Sequence, residues 1–204
     1  MLFRSLAAAA ALLVVAGPAA AQEVDLRAQV AAYIQPTNEA RTQVVVEQVR
    51  AAGFEPVVET FAGGNRQTGE MEGRNVVFTL GEGEREILLT AHYDAVRLRD
   101  GSMSQGVVDN AASVVGVIEA AKRLRDADLD HRVRVILFDQ EELGLIGARK
   151  WIEAHGLAEG FVPQVFRLIH SAEDTMEQVD PTTVALAGET YAAVVAKLDD
   201  QLAD

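Results

Sequence analysis

The sequence predicts an α/β protein, a three-layer sandwich in which helices cover a central mixed β-sheet. Two patterns point there. Short apolar runs rich in β-branched residues, such as Val133 to Phe138, alternate with longer segments whose apolar residues recur at helical spacing. Several of those runs end in acids or histidines, and in open α/β sheets the carboxyl ends of strands are where ligands bind. With 204 residues, 49% of them hydrophobic, the chain is long enough for one domain with a substantial core.

Taken in order, Arg4, the apolar run Leu6 to Ala16 and Ala19-Ala20-Ala21 read as a secretory signal peptide cleaved after Ala21. The expected organisation is therefore a signal peptide over 1–21 and a single domain over 22–204, in a secreted or periplasmic protein with no membrane segment after cleavage. No cysteine occurs, which excludes disulfides, thiolate metal sites and a lipoprotein signal. The formal charge of −13 argues against nucleic acid as a partner, because phosphate binding needs basic surface.

Beyond Gln22 a helix is expected with Val30, Tyr33 and Ile34 on its apolar face, broken by Pro36-Thr37-Asn38. A second helix runs from Glu39 to Ala52, turning Val44, Val45, Val46, Val49 and Ala52 inward and stopping at Gly53. Neither helix carries visible chemistry. Glu55 to Phe61 alternates as a strand, Ala62-Gly63-Gly64-Asn65 reads as a turn, and the polar stretch to Gly73 as a hairpin loop. Strands follow at Asn75 to Leu80 and Glu86 to Ala91, the second being the more apolar and expected at the centre of the sheet.

Asp109-Asn110 is expected to open a helix reaching Asp126, with Val114, Val117, Ile118, Ala121 and Leu124 on one face. A strand ending at Phe138, a helix from Leu145 to Ala154, a strand from Val162 to Ile169 and a helix from Pro181 to Leu202 complete the pattern.

The chemistry gathers at the ends of these elements. Asp139-Gln140-Glu141-Glu142 crowds acids at the end of a buried strand, which is costly unless a cation or other partner compensates them. Glu141 and Glu142 thus read as half of a metal-dependent hydrolytic site, one as ligand and one as base, against the alternative of a solvated acidic loop. In His92-Tyr93-Asp94, residues i and i+2 share a strand face, so Asp94 can orient the His92 imidazole. Asp109 could cap its helix or serve as a metal ligand. His170 follows an expected strand, and imidazole with carboxylate suits zinc or a similar ion. His131 and His155 read as structural, His155 lying in the last turn of its helix, where positive charge favours the dipole.

AHYDAV at 91–96, VVDNAASVVGVIEAA at 107–121, ILFDQEELGLIGARKW at 136–151 and IHSAEDTMEQVDP at 169–181 together resemble the M28 metallopeptidases. These are zinc aminopeptidases and carboxypeptidases, grouped with the glutaminyl cyclases. The four motifs stand in the family's order from about Asn75 onward. The resemblance implies that His92 binds a first zinc and is oriented by Asp94, and that Asp109 bridges two zincs. It further implies Glu141 as general base, with Glu142 and His170 binding the second zinc.

One departure stands out. The family usually carries a longer segment between the Glu-Glu motif and the last histidine, with a further Asp or Glu for the first zinc. Here only Leu143 to Ile169 intervene, with no Asp, and with Glu153 and Glu159 in contexts that do not match. Asp109, Glu142 and His170 with Glu141 alongside still resemble the single-zinc set of the cyclases, so Zn2+ is expected with one ion or two. The resemblance implies an exported zinc-dependent peptidase, most simply an aminopeptidase acting on peptide substrates. The alternatives are a non-catalytic relic or binding module, and glutaminyl cyclisation.

Overall fold

The computed structural model describes residues 18–156 and 181–202. Its elements are α1 (Pro18–Ala31), α2 (Asn38–Ala51), β1 (Val57–Asn65), β2 (Gly69–Leu80), β3 (Glu86–His92), a π-helical turn (Val107–Ala111), α3 (Ala112–Leu124), β4 (Arg132–Phe138), α4 (Ile146–His155) and α5 (Pro181–Leu202). The expected strand over Val162 to Ile169, together with His170 and Glu159, lies outside the described residues. Among the described residues, no helix is long and apolar enough to cross a membrane.

The sheet runs β1-β2-β4-β3. β1 pairs antiparallel with β2 and β2 antiparallel with β4, while β3 and β4 are parallel. The sheet is thus mixed, and the connection from β3 to the parallel β4 passes through α3, as parallel neighbours require. Period-2 alternation divides the side chains between two layers. Val76, Phe78, Val133, Val135 and Leu137 join Val30, Tyr33, Val45, Val49, Val114, Ile118 and Val195 in the larger core, under α1, α2, α3 and α5. Val77 and Ile136 face the other way and pack with Trp151 of α4. Helices therefore cover both faces, as the sequence predicts.

Local chemistry explains the helix boundaries. Thr37 caps α2 by accepting the Ala40 N–H at 3.1 Å, and Gly53 at φ +84° lets the chain leave. His155 closes α4 before Gly156, stacks on Trp151 at 4.6 Å between centroids, and lies 3.1 Å from Glu59. His131 is buried against Asp199 of α5, with Nδ1 to Oδ1 at 2.9 Å. Both histidines are structural, as expected.

Four local expectations are corrected. Ile34 is 43% exposed, because the chain has left α1 before reaching it. Ala62 to Asn65 is not a turn: it continues β1 in register with Gly69 to Glu72, so a long hairpin with a tight tip replaces the expected loop. Its glycines serve packing, since a Cβ on Gly63 would stand 2.2 Å from Oε1 of Gln140. Among the described strands, β2 and β4 are internal and β3 closes one edge. Finally, Asp109 and Asn110 have non-helical backbone angles inside the π-helical turn, and α3 begins only at Ala112.

Candidate metal centre

The centre forms where β3, the π-helical turn and the end of β4 meet. Because β3 and β4 are parallel, in register from Glu86↔Arg132 to His92↔Phe138, they deliver His92 and the Asp139-to-Glu142 loop to the same end of the sheet. The register extends one step further, with the Tyr93 N–H donating to the Phe138 carbonyl at 3.0 Å. Asp109 arrives from the turn that precedes α3. It is not a helix cap: the N-cap of α3 is Ala111, and no side chain caps it.

His92 Nε2 lies 3.1 Å from Asp109 Oδ1 and 3.9 Å from Glu141 Oε2. On the other side of the ring, Nδ1 lies 3.3 Å from Asp94 Oδ1, an ion-pair separation. Donor atoms of His92, Asp109 and Glu142 all fall within 4.8 Å of one another, close enough to share one ion. Among the described residues, no other group of three or more His, Asp or Glu side chains meets this condition. Glu153, the described acid between the Glu-Glu motif and His170, pairs instead with Lys150 at 2.8 Å on the exposed side of α4.

Asp94 is the hub of the centre. It is wholly buried, and its two oxygens accept the backbone N–H groups of Glu141 and Glu142, each at 3.1 Å. One carboxylate therefore both faces His92 and fixes the backbone of the two glutamates.

The protein groups perturb one another strongly. Burial pulls the His92 pKa down, but the hydrogen bond to Asp109 and the nearby carboxylates of Asp94 and Glu141 outweigh it and push the value up to about 10. Burial, and then the charges of Asp94 and Asp109, push Glu142 up to about 8. Asp139 is raised to about 7 by burial first and by Asp94 second. Concentrated negative charge of this kind favours protons or a cation, and carboxylates with imidazole are donors that suit zinc.

Several supports were not visible in the sequence. Asn75 of β2 accepts the Asp139 N–H at 3.1 Å and donates to the Gly147 carbonyl at 3.0 Å, tying the acidic loop to the start of α4. Asp139 has no place in the donor cluster; it accepts the Arg74 and Gln140 N–H groups at 3.0 and 2.8 Å. Gln140, at φ +55°, reaches under the β1–β2 hairpin to accept the Gly64 N–H at 2.8 Å. The Gly-Gly pair in the expected turn was the one available signal, since adjacent glycines mark a close approach as readily as a turn.

The fold defines a class: an α/β sandwich of the kind found in zinc exopeptidases and glutaminyl cyclases. Porphyromonas gingivalis glutaminyl cyclase superposes with a TM-score of 0.57 at 19% identity, over 67% of this chain and 55% of that one. A Zn-dependent exopeptidase from Parabacteroides distasonis gives 0.50 at 16% identity, over 71% and 50%. The family model of peptidase family M28 matches residues 75–162. Aminopeptidase YwaD of Bacillus subtilis is 34% identical over 67 residues, which are 33% of this chain and 14% of that protein. The similarity to peptidase family M28 is carried by residues 75–162, less than half of the chain. The chain spans about half the length of the two solved structures and a much smaller share of the Bacillus protein.

Proposed function

We propose that the chain is an exported zinc-dependent peptidase, most simply an aminopeptidase. The observation that carries this reading is the convergence of His92, Asp109 and Glu142 within 4.8 Å, with Glu141 beside them. The donor set fits zinc: one imidazole and two carboxylates, with a buried carboxylate turned to the far side of the imidazole. His92 Nε2, Asp109 and Glu142 would hold the ion, and His170 is the further ligand expected from the family motif. Bound zinc supplies Lewis acidity, which acidifies water and polarises a peptide carbonyl.

The chain's own residues do the rest. Glu141, whose side chain is 19% exposed, takes a proton from the attacking water and passes it to the leaving amine. Asp94 holds the proton on His92 Nδ1, keeps Nε2 as the donor face, and fixes the Glu141 backbone so that base and ligands keep their spacing. Export rests on the signal-like residues 1–21.

A second reading, glutaminyl cyclisation on one zinc, draws on the single donor group among the described residues and on the fold shared with the Porphyromonas gingivalis cyclase. One experiment separates the readings. Purified protein with zinc is offered aminoacyl-nitroanilides and, separately, peptides with N-terminal Gln. Amino-acid release that Glu141→Gln abolishes while zinc stays bound supports the peptidase. Cyclisation without release supports the second reading. Neither activity sinks both and leaves a non-catalytic scaffold.

A further inference from the structure

Arg41 is 0% exposed, inside a helix that shows no chemistry in its sequence. Its guanidinium donates to the carbonyls of Tyr93, Tyr33, Gln105 and Gly106, the last three at 2.7, 2.9 and 2.9 Å. Two of these acceptors are notable for their neighbours. Tyr93 stands between His92 and Asp94. The Gly106 carbonyl also accepts the Ala111 N–H at 3.1 Å, the bond that closes the π-helical turn around Asp109.

Asn38, one turn earlier on the same helix face, grips the residue that follows Asp94. Its side chain accepts the Ala95 N–H at 2.9 Å and donates to the Ala95 carbonyl at 3.1 Å. Thr42 lies 2.8 Å from the Tyr93 hydroxyl. Positions i, i+3 and i+4 of α2 thus fasten both segments that carry the donors. Gly106 completes the fit: a Cβ there would stand 2.7 Å from both Arg41 Nη2 and Ala95 Cβ.

We infer that Arg41, assisted by Asn38, is a positioning residue that sets the spacing between His92 and Asp109 and so preorganises the metal centre. The inference rests on the metal-centre reading above. Burying a guanidinium is costly, and here four backbone carbonyls offset that cost. What an apolar residue cannot do is hold four carbonyls from three separate segments in one fixed fork. Lysine, with a single point charge and three donors, cannot reproduce that fork either.

The test uses wild type, Arg41→Lys, Arg41→Met and Asn38→Ala. Each is measured for zinc affinity by chelator competition, for the cobalt(II) absorption spectrum, and for thermal melting in EDTA. Loss of groups that orient metal ligands typically weakens binding ~10–100-fold. Arg41→Lys should show a loss of that size with altered cobalt bands, and Asn38→Ala a smaller loss in the same direction. Lower melting temperatures with wild-type zinc affinity and wild-type cobalt spectra would mean that Arg41 is merely structural, and would overturn the inference. If neither Arg41 variant folds, Asn38→Ala decides alone, and unchanged zinc affinity there overturns it too. Wild type that binds no zinc removes the metal-centre reading and this inference together. Wild type and Arg41→Lys binding equally removes only this one.

Discussion

Replacing Asp94 by Asn disturbs the centre in two ways whose sizes follow from its contacts. The Asp94 carboxylate accepts two backbone N–H groups, from Glu141 and Glu142, each at 3.1 Å. The amide of Asn has one acceptor oxygen, so one of those N–H groups must face an NH2. A buried donor left without its acceptor costs about 1–3 kcal/mol. The second disturbance is electrostatic: His92 loses one of the carboxylates that hold its pKa near 10, so that value should fall. Loss of a group that orients a metal-binding histidine weakens zinc binding ~10–100-fold, or about 1.4–2.7 kcal/mol at 1.36 kcal/mol per decade. Folding stability should fall by less than the unmet donor alone implies, because Asp94 also repels Glu142 and Asp139. Chelator competition at fixed pH measures the zinc term, and histidine NMR in EDTA follows His92. Asp94→Asn protein that binds zinc within twofold of wild type would refute the role given to Asp94.

Other outcomes follow from the same contacts. In EDTA the protein should be more stable near pH 5 than near pH 8, as thermal melts would read. Glu142 and Asp139 have folded-state values of about 8 and 7, above their ordinary ones, so the folded state binds more protons than the unfolded chain and stability falls as pH rises through that window. His92 acts in the opposite sense to zinc: its proton, held to about pH 10, must leave before the ion binds. Apparent zinc affinity should therefore rise between pH 6 and 8, by about tenfold per pH unit for each proton released, and a flat profile would contradict it. Asn75→Ala strips a partner from the Asp139 N–H and the Gly147 carbonyl. At about 1–3 kcal/mol for each buried group it should lower the melting temperature by several degrees, and an unchanged melt would show the loop to be held elsewhere. Gly147→Ala would place a Cβ 2.1 Å from the Asp139 carbonyl oxygen, where backbone cannot yield. The overpacking should cost about 1–3 kcal/mol in denaturant unfolding, and a neutral result would mean that the loop moves freely.

Much of this protein is legible in the sequence because its signals are local. Period-2 runs mark β4 and the inner half of β2, helical spacing marks α3 and α5, and Pro36 and Gly53 bound α2. The candidate donors are legible too, since each lies in a short motif at the end of an element. Local signals fail where a residue's conformation is decided by a distant partner. Ala62 to Asn65 looks like a turn until Gln140, 76 residues from Gly64, is seen to need the space those glycines leave. Asp109 looks like a helix cap until the π-helical turn shows its backbone angles to be non-helical.

Composition and motif by themselves determined an acidic, cysteine-free α/β chain with histidine and carboxylates at its strand ends. Only the tertiary structure decided that His92, Asp109 and Glu142 stand within 4.8 Å of one another, and that Asp94 binds the backbone of both glutamates. Only there, too, does Arg41 cease to be one more charge on a helix and become a buried fork on the carbonyls of Tyr93 and Gly106. The physical reason is sequence separation. Those bonds join residues 52 and 65 positions apart, and no local pattern encodes a contact that exists only once the sheet has brought its ends together.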